Sequence, residues 1–421
     1  MVAPIGIAET KLSRQNTYLP TLDGWRAVAV IGVILFHGRS GFFAEGSLLY
    51  RVCAHGILGV DVFFAISGFL ICGLLLKEHE AEGDISLRRF YIRRCFRILP
   101  PFYAALAAFS VVSLLGIITL NHADLPSCLM FYRNYMPLGI DERGGFYTAH
   151  FWTLALEEHF YMLWPMLLLA VNPRRAGKTA FLLAILVFCW RVVEGHFQLL
   201  AGWLPQANLL TRTDTRMDGL LWGCLAAIYF PRIQRLVGQV RFSQLWLVPL
   251  ALLVVTQIMH VSGLTLWRAI LLPVLLVSTV TQPASWLGRA LEWQPIRWIG
   301  TLAFSLYLWQ ELFLPEIASV MARGGFRELQ RPPWNLLALL VAACLSRYLV
   351  EIPLNRMGHR LSVSPLTPAK SAASVVRSSY FRILEPHGEH QRGRKDECQG
   401  EAAPKTVNTK AGFEAKQISD R

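Results

Sequence analysis

The chain has 421 residues, of which 54% are hydrophobic and 16% charged, with a mean hydropathy of +0.39 and a formal net charge of +13. Ordinary soluble domains carry about 25% charged residues, so the composition excludes that class and favours a polytopic helical membrane protein. The positive charge does not indicate nucleic-acid binding, because much of the arginine lies between apolar runs, where membrane topology explains it.

Apolar runs approaching twenty residues recur along the chain, and each is long enough to cross a bilayer as a helix. We therefore predict an all-α transmembrane bundle of about ten spanning helices. The predicted spans are 21–41, 57–76, 97–119, 150–171, 179–196, 216–230, 245–261, 265–282, 298–320 and 334–352. The segment 124–136 is too short and too polar to span, which favours an interfacial or re-entrant position.

The distribution of lysine and arginine predicts the orientation. With the N-terminus inside, the inner loops carry more Lys and Arg than the longer outer loops, so both termini are expected on the cytoplasmic side. Residues 1–20 are then a cytoplasmic N-terminus, and 21–355 form the membrane domain. Residues 356–421 form a polar cytoplasmic tail whose composition predicts disorder.

The first span carries two ionisable side chains on one face. Arg26 and His37 are eleven residues apart, which on an α-helix is three turns plus about 20° and a rise of roughly 16 Å. Ionisable groups inside a membrane usually serve a function. The alternative is a snorkelling arginine and a core histidine that only satisfies its own hydrogen bonds.

Three further helices carry polar residues toward the predicted depth of His37. Counting 1.5 Å per residue from the span ends places them about 20 Å from the inner surface. These residues are Asp61, Glu157, Glu158, Gln310 and Glu311. We interpret them as one polar layer, and the alternative is a network that only holds the helices together.

A second polar layer is predicted at the inner surface. It is formed by Arg26, Arg93, Arg94, Arg97, Arg347 and Glu351. The positive-inside rule alone predicts cations there, but it predicts lysine as readily as arginine. Arg94 and Arg97 share a helix face at i, i+3, and guanidinium groups suit bidentate phosphate binding. We expect a phosphate-bearing cytosolic donor to dock at this layer.

The motifs of the chain resemble those of the acyltransferase 3 family of integral-membrane acyltransferases, in the family's order, over about residues 20–355. The matching pieces are Asp23-Gly24-x-Arg26 with His37 ten residues later, Gly59-Val60-Asp61-Val62-Phe63-Phe64, Arg94-x-x-Arg97, Trp152-Thr153-Leu154 with Glu157-Glu158, Arg216-Met217-Asp218-Gly219, Ser305-Leu306-Tyr307-Leu308-Trp309 and Glu351-x-Pro353. Similar family members O-acylate envelope glycans or exported polysaccharides. Two positions depart from the family pattern, since Gln310 replaces a histidine and His159 a glutamine. A glutamine cannot shuttle a proton at neutral pH, so no acid–base role is expected of Gln310.

The resemblance implies transfer of an acyl group, with acetyl favoured, from acyl-CoA to a glycan hydroxyl. His37 is the expected general base, and Asp61 or Glu158 is expected to orient it. Of Glu157 and Glu158, neighbours 100° apart on a helix, only one can point fully into the site. The donor phosphates would bind Arg26, Arg93, Arg94 and Arg97. Acceptor-binding or supporting roles are assigned to Asp23, Trp152, Asp218, Gln310 and Glu351. Direct transfer and an acyl-enzyme intermediate both stay open.

These expectations define the partners: acyl-CoA as co-substrate, a glycan or glycolipid acceptor, and the lipid bilayer of a bacterial cytoplasmic (inner) membrane. The eight cysteines are scattered without metal-ligand spacing, so no metal is expected, and no nucleic acid is expected either. A homo-oligomer is left open. The alternative functions are a proton-coupled transporter of a glycan or small molecule, because buried acids also serve proton relays, and a membrane anchor with a basic tail.

Overall fold

The computed structural model describes residues 18–137, 145–204, 207–238, 244–259, 263–315 and 321–362. Within these ranges the chain is all-α, as predicted, and contains no β-strand. The helices are α1 Pro20–Phe42, α2 Leu48–Ala54, α3 Leu58–Glu82, α4 Leu87–Leu114, α5 Leu125–Leu129, α6 Phe146–Ala149, α7 Phe151–Val171, α8 Ala176–Phe197, α9 Thr213–Arg216, α10 Asp218–Val237, α11 Leu247–Ile258, α12 Leu264–Thr281, α13 Trp286–Leu291, α14 Gln294–Phe313, α15 Trp334–Leu345 and α16 Ile352–Ser362.

Each of the ten predicted spans overlaps one of the longer helices. In the described ranges, seven helical segments are long and apolar enough to cross a membrane, which makes this a multi-pass membrane protein. They are Pro20–Phe42, Leu48–Glu82, Leu87–Leu114, Phe146–Val171, Pro173–Phe197, Leu264–Thr281 and Trp334–Ser362. The other three predicted spans correspond to α10, α14 and the shorter apolar helix α11. The side of the membrane on which each terminus lies stays a prediction.

Helix α1 packs closely along α14 and α3. A Cβ atom at Gly300 of α14 would overlap the carbonyl of Asp23, and one at Gly59 of α3 would overlap the carbonyl of Ala29. Small residues at such crossings let helix backbones approach closely in a membrane. This approach brings polar side chains of α1 within reach of those on α14.

The segment 124–136 contains no spanning helix, as predicted. It folds into short helical turns, and its Arg133 side chain is fully buried. The guanidinium donates to the Pro137 carbonyl at 2.7 Å and to Asp124 at 3.2 Å. These bonds hold the turns of the segment together, and further bonds from Arg133 to the Gly145 carbonyl at 3.3 Å and the Thr148 hydroxyl at 3.4 Å fasten it to α6.

The last described helix passes the predicted domain boundary at residue 355. A π-helical segment, Ser346–Glu351, joins α15 to α16, which ends at Ser362. Helix α16 packs against α4, with Gly358 next to the ring of Phe96. The predicted disorder of the rest of the tail, 363–421, falls outside the described residues, as does most of the predicted N-terminal segment.

Candidate functional site

His37 on α1 lies beside an acidic side chain of α14. Its Nδ1 atom is 3.3 Å from Oε1 of Glu311, whose side chain is 1% exposed. Nδ1 and Oε1 are close enough for an ion pair but are not aligned as a hydrogen bond, and a proton on Nδ1 would leave Nε2 as the basic atom. The pair therefore places an acid beside the imidazole, as in a triad, without the hydrogen bond that orients the ring there.

The orienting role predicted for Asp61 is wrong. Its carboxylate accepts a hydrogen bond from Arg216, and Arg268 lies 4.0 Å from its second oxygen. The reason is the rotation of α3, which turns Asp61 toward α9 and α12, the helices that carry Arg216 and Arg268. Asp61 and Arg216 instead form a buried ion pair.

A second histidine reaches the level of His37. His150, immediately before α7, is 3% exposed, and its Nε2 lies 3.2 Å from the carbonyl oxygen of Leu308. Leu308 is one turn before Glu311 on α14, and the charge of His37 acts on His150. We did not predict this residue. The available signal was its place just before the Trp152-Thr153-Leu154 motif.

Hydrogen bonds between α7 and α14 hold this level together. The Tyr307 hydroxyl donates to the backbone carbonyl of His150 at 2.8 Å and lies 2.7 Å from the Thr153 hydroxyl. The Tyr307 ring also makes an edge contact with Phe63, at 6.1 Å between centroids. The start of α7 is thus fixed against the helix that carries Glu311.

Glu157 and Glu158 lie at a different level from His37. They follow His150 by seven and eight residues, which is about 10 Å along a helix axis. Glu157 accepts hydrogen bonds from Ser67 at 2.8 Å and from Tyr161 at 3.2 Å. The prediction of a single polar layer is therefore wrong, because distances counted from span ends ignore helix tilt and offset.

Glu158 faces α4 rather than the histidines. Its charge acts on Arg94, Cys95 and Tyr103 of that helix. The acid that lies beside His37 is Glu311, and not Glu158, for which an orienting role was predicted. One oxygen of Glu158 is buried and has no hydrogen-bond partner among the described residues.

Gln310 is fully buried beside Glu311 in the sequence of α14. Both polar atoms of its amide lack a hydrogen-bond partner within the described ranges. An amide can donate and accept but cannot take up a proton near neutral pH. Its predicted supporting role is compatible with this position.

Arg94 and Arg97, here called the arginine pair, lie together on α4 as predicted. Both are half-buried, and in the part of the chain that the structure describes neither forms an ion pair or a hydrogen bond with a side chain. The Arg94 guanidinium lies 5.1 Å from the Tyr161 ring centroid. The charges of Arg94, Arg97 and Arg26 act on one another.

The other arginines predicted at this level have carboxylate partners. Arg26 pairs with Asp23 at 2.6 Å and Arg93 with Glu78 at 3.4 Å. The remaining contacts involve Tyr18, which donates to Asp23 at 2.5 Å, and Glu351, which pairs with Arg347 and accepts from Ser305 at 3.0 Å. Asp23 and Glu351 thus hold helix ends in place around the arginine pair.

Two further predicted supporting residues, Asp218 and Trp152, contact side chains of other helices. Asp218 receives two hydrogen bonds from Arg191, at 3.0 and 2.9 Å, which fasten α10 to α8. The Trp152 ring makes an edge contact with Phe64, at 5.9 Å between centroids. The His159 imidazole lies 2.7 Å from the Thr213 hydroxyl.

The short helix α9 belongs to a set of ion pairs that we call the α8–α10 brace: Arg191 with Asp218, and Arg212 with Glu194 and Asp214. Arg212 donates to Glu194 at 2.9 Å and to Asp214 at 2.5 Å, and Trp190 donates to Asp214 at 2.7 Å. Burial raises the pKa of Asp214, but the hydrogen bonds from Arg212 and Trp190 lower it more, so the net pKa lies below its usual value. Every arginine of the brace has a carboxylate partner.

Within the described ranges, no group of three or more His, Cys, Asp or Glu side chains is arranged to hold a metal ion.

Comparison with known proteins identifies one family. The model of a family described as "Acyltransferase domain" matches residues 19–351. Similar proteins include the peptidoglycan O-acetyltransferase OatA of Listeria monocytogenes, 27% identical over 381 residues, which is 83% of this chain and 57% of that protein. A Bacillus subtilis protein named as a peptidoglycan O-acetyltransferase, YrhL, is 28% identical over 83% of this chain and 56% of its own length.

A protein of Staphylococcus aureus (strain COL), named as an O-acetyltransferase, is 28% identical over 82% of this chain and 58% of its own length. The chain therefore spans little more than half the length of these relatives. No solved structure matches the chain significantly.

Proposed function

The chain belongs to the integral-membrane acyltransferase family whose domain model covers residues 19–351, and from that premise we propose that it transfers an acetyl group from acetyl-CoA to a hydroxyl of a cell-envelope glycan. Membership of an acyltransferase family favours an enzyme over a transporter or an anchor. The names of its relatives support acetyl as the group and peptidoglycan as the first acceptor to try.

The arginine pair is the observation that carries the proposal. Its two guanidinium groups are half-buried and form no ion pair with a carboxylate in the described chain. Burying such charges costs free energy of folding unless an anion binds to them. Coenzyme A carries a pyrophosphate and a 3′-phosphate, and guanidinium groups bind phosphate bidentately. Arg94 and Arg97 would hold these phosphates. Arg26 and Arg93 would contribute less, because each already pairs with a carboxylate.

The spacing of Arg26 and His37 along α1 suits the shape of the donor. Arg26, whose charge acts on both members of the pair, is about 16 Å from His37 along α1. Pantetheine is a thin extended arm, and in this arrangement it would lie along α1 with its thioester near His37. The predicted orientation then places the arginine pair in the cytosol and the acceptor on the opposite side of a bacterial cytoplasmic membrane.

His37 and Glu311 would carry out the chemistry. With the Glu311 carboxylate beside Nδ1, His37 takes the proton of the acceptor hydroxyl at Nε2 while the hydroxyl oxygen attacks the thioester carbonyl. The new C–O ester bond forms, the C–S bond breaks, and the CoA sulfur leaves and takes up the proton from Nε2. Glu311 stabilises the imidazolium between these two steps.

The test uses the full chain in lipid nanodiscs with radiolabelled acetyl-CoA and soluble peptidoglycan fragments. We expect labelled O-acetyl fragments from the wild type and a loss of about 10²–10⁴-fold in the rate for His37→Ala, the usual range for a removed general base. The matched control is His196→Ala, an exposed histidine at the end of α8, which should keep the wild-type rate.

Equal rates for His37→Ala and the control would contradict the assignment of the base. If the wild type transfers nothing to peptidoglycan fragments, mass spectrometry of envelope glycans from cells with and without the protein decides. No difference in O-acetylation there would overturn the proposed function.

A further inference from the structure

The His150 imidazole has one nitrogen committed to the fold and one that is not. Nε2 lies 3.2 Å from the Leu308 carbonyl, and a carbonyl can only accept, so this nitrogen carries the proton. In the neutral ring Nδ1 is then a hydrogen-bond acceptor. Nδ1 is buried and has no partner among the described residues. The tautomer thus follows from the one hydrogen bond that the ring makes with the described residues.

This acceptor belongs to the same level as the proposed base. Leu308 precedes Glu311, the partner of His37, by one helical turn on α14. The Tyr307 ring lies 5.5 Å from the His150 ring. The free nitrogen of His150 is therefore close to the place where the acceptor hydroxyl must meet His37.

Holding the backbone does not explain an imidazole at this position. A glutamine amide could donate to the Leu308 carbonyl equally well and would place no acceptor at the position of Nδ1. An unsatisfied buried acceptor costs about 1–3 kcal/mol. Its retention favours a role in binding a group that donates a hydrogen bond.

Gln310 adds the complementary group. It lies two residues from Leu308, fully buried, and its amide nitrogen and oxygen both lack partners in the described chain. A hydroxyl donates one hydrogen bond and accepts up to two. A ring nitrogen that accepts, together with an amide that donates, matches a hydroxyl.

We infer that His150 Nδ1 and the Gln310 amide bind a second hydroxyl of the acceptor, next to the one that His37 deprotonates. The inference rests on the proposed function and narrows it, because it makes the acceptor a polyhydroxylated glycan rather than a simple alcohol. His150 is a binding residue in this scheme. It accepts from the sugar and does not exchange a proton with the reacting oxygen.

Two substitutions distinguish a sugar-binding role of His150 from a purely structural one. His150→Gln keeps an N–H that reaches the Leu308 carbonyl and removes the Nδ1 acceptor. His150→Asn keeps an oxygen acceptor near the position of Nδ1 and is too short to reach Leu308. A purely structural histidine therefore predicts that Asn is the worse variant, and a sugar-binding histidine predicts that Gln is.

The experiment measures acetyl transfer from saturating acetyl-CoA to soluble peptidoglycan fragments by the full chain in nanodiscs. We expect His150→Gln to raise KM for the fragments about tenfold, as for one lost hydrogen bond to a neutral group, with a smaller rise for His150→Asn. The Kd for acetyl-CoA should stay within about twofold of the wild type in both variants, since the arginine pair is untouched.

An unchanged KM in His150→Gln, or a larger defect in His150→Asn, would overturn the inference. So would a loss of acetyl-CoA affinity that matches the rise in KM, because that indicates general distortion. A wild type without transfer speaks against the proposed function instead. In that case the affinity for the fragments is measured by calorimetry. A lower affinity in His150→Gln than in His150→Asn supports the inference, and equal affinities in the two variants overturn it.

Discussion

The α8–α10 brace and the arginine pair both place guanidinium groups inside a membrane protein, but they differ in whether a carboxylate pairs with the charge. In the brace, Arg191 and Arg212 each bind a carboxylate through short hydrogen bonds. In the pair, Arg94 and Arg97 have no such partner among the described residues. The charge of a paired buried arginine is balanced within the fold, whereas the charge of an unpaired one is balanced when an anionic ligand binds. The difference separates structural arginines from candidate ligand-binding ones, which position in the sequence alone does not.

The largest effect is expected from breaking the brace. Asp218→Ala leaves the buried Arg191 guanidinium with the Thr215 carbonyl as its one hydrogen-bond acceptor in the part of the chain that the structure describes. Loss of one member of a buried ion pair costs about 3–5 kcal/mol, so the thermal unfolding midpoint should fall markedly. The acetyl-CoA affinity of the protein that stays folded should not change.

The matched control for this variant is an exposed ion pair. Glu328→Ala removes the partner of Arg331, and both side chains are more than half exposed. We expect a change of less than about 1 kcal/mol in the free energy of unfolding. If the two variants lower the unfolding midpoint equally, burial of the brace does not decide its contribution.

The arginine pair should show the opposite response. The double variant Arg94→Gln/Arg97→Gln should weaken acetyl-CoA binding by about 100-fold, because two charge-assisted contacts to phosphate are lost. The unfolding midpoint should be unchanged or higher, since two charges that form no ion pair among the described residues leave the half-buried site. Calorimetric titration of acetyl-CoA and a thermal melt of the same sample measure both quantities.

Arg93→Gln is the control for the pair, because Arg93 lies on the same helix but binds Glu78. Its effect on acetyl-CoA affinity should stay within about threefold, as for a charge near the site without direct contact. A comparable loss from Arg93→Gln would mean that net charge, rather than the unpaired guanidinium groups, attracts the donor.

Which parts of this comparison could be predicted from the sequence depends on how many helices each part involves. The stripe of Arg26 and His37 lies on one helix, so its geometry follows from 3.6 residues per turn. The carboxylate that meets His37 depends on the rotation of two helices about each other. That is why Asp61 was predicted where the structure has Glu311.

His150 was missed for the same reason. Among the described residues, the one hydrogen bond of its side chain goes to a backbone carbonyl of another helix, that of Leu308, and no side-chain pattern records such a contact. The depth of Glu157 was wrong because rise per residue gives distance along a helix and not the offset between helices. Ten helices could be predicted from hydropathy, but the pairing of their polar groups needed the packing.

A smaller effect tests the form of the guanidinium contact. Arg94→Lys keeps the charge but loses the planar fork and the contact with the Tyr161 ring. We expect acetyl-CoA affinity to fall about tenfold, less than in the double Gln variant, because a lysine still attracts phosphate as a point charge. An affinity equal to that of the wild type would show that charge alone is sufficient at this position.

The smallest effect concerns the pH dependence of the brace. The net pKa of Asp214 in the folded protein lies below its usual value, which is about 3.9 in an unfolded chain. The ionised carboxylate therefore stabilises the fold fully above about pH 4, and this stabilisation is lost as the pH falls through the folded-state pKa. Asp214 is 31% exposed in its pair with Arg212, so solvent screening keeps the contribution below about 1 kcal/mol. In nanodiscs, the unfolding midpoints of the wild type and Asp214→Asn should differ at pH 6 and converge toward pH 3. A difference that is independent of pH would mean that Asp214 acts through its hydrogen bonds to Trp190 and Tyr135 rather than through its charge.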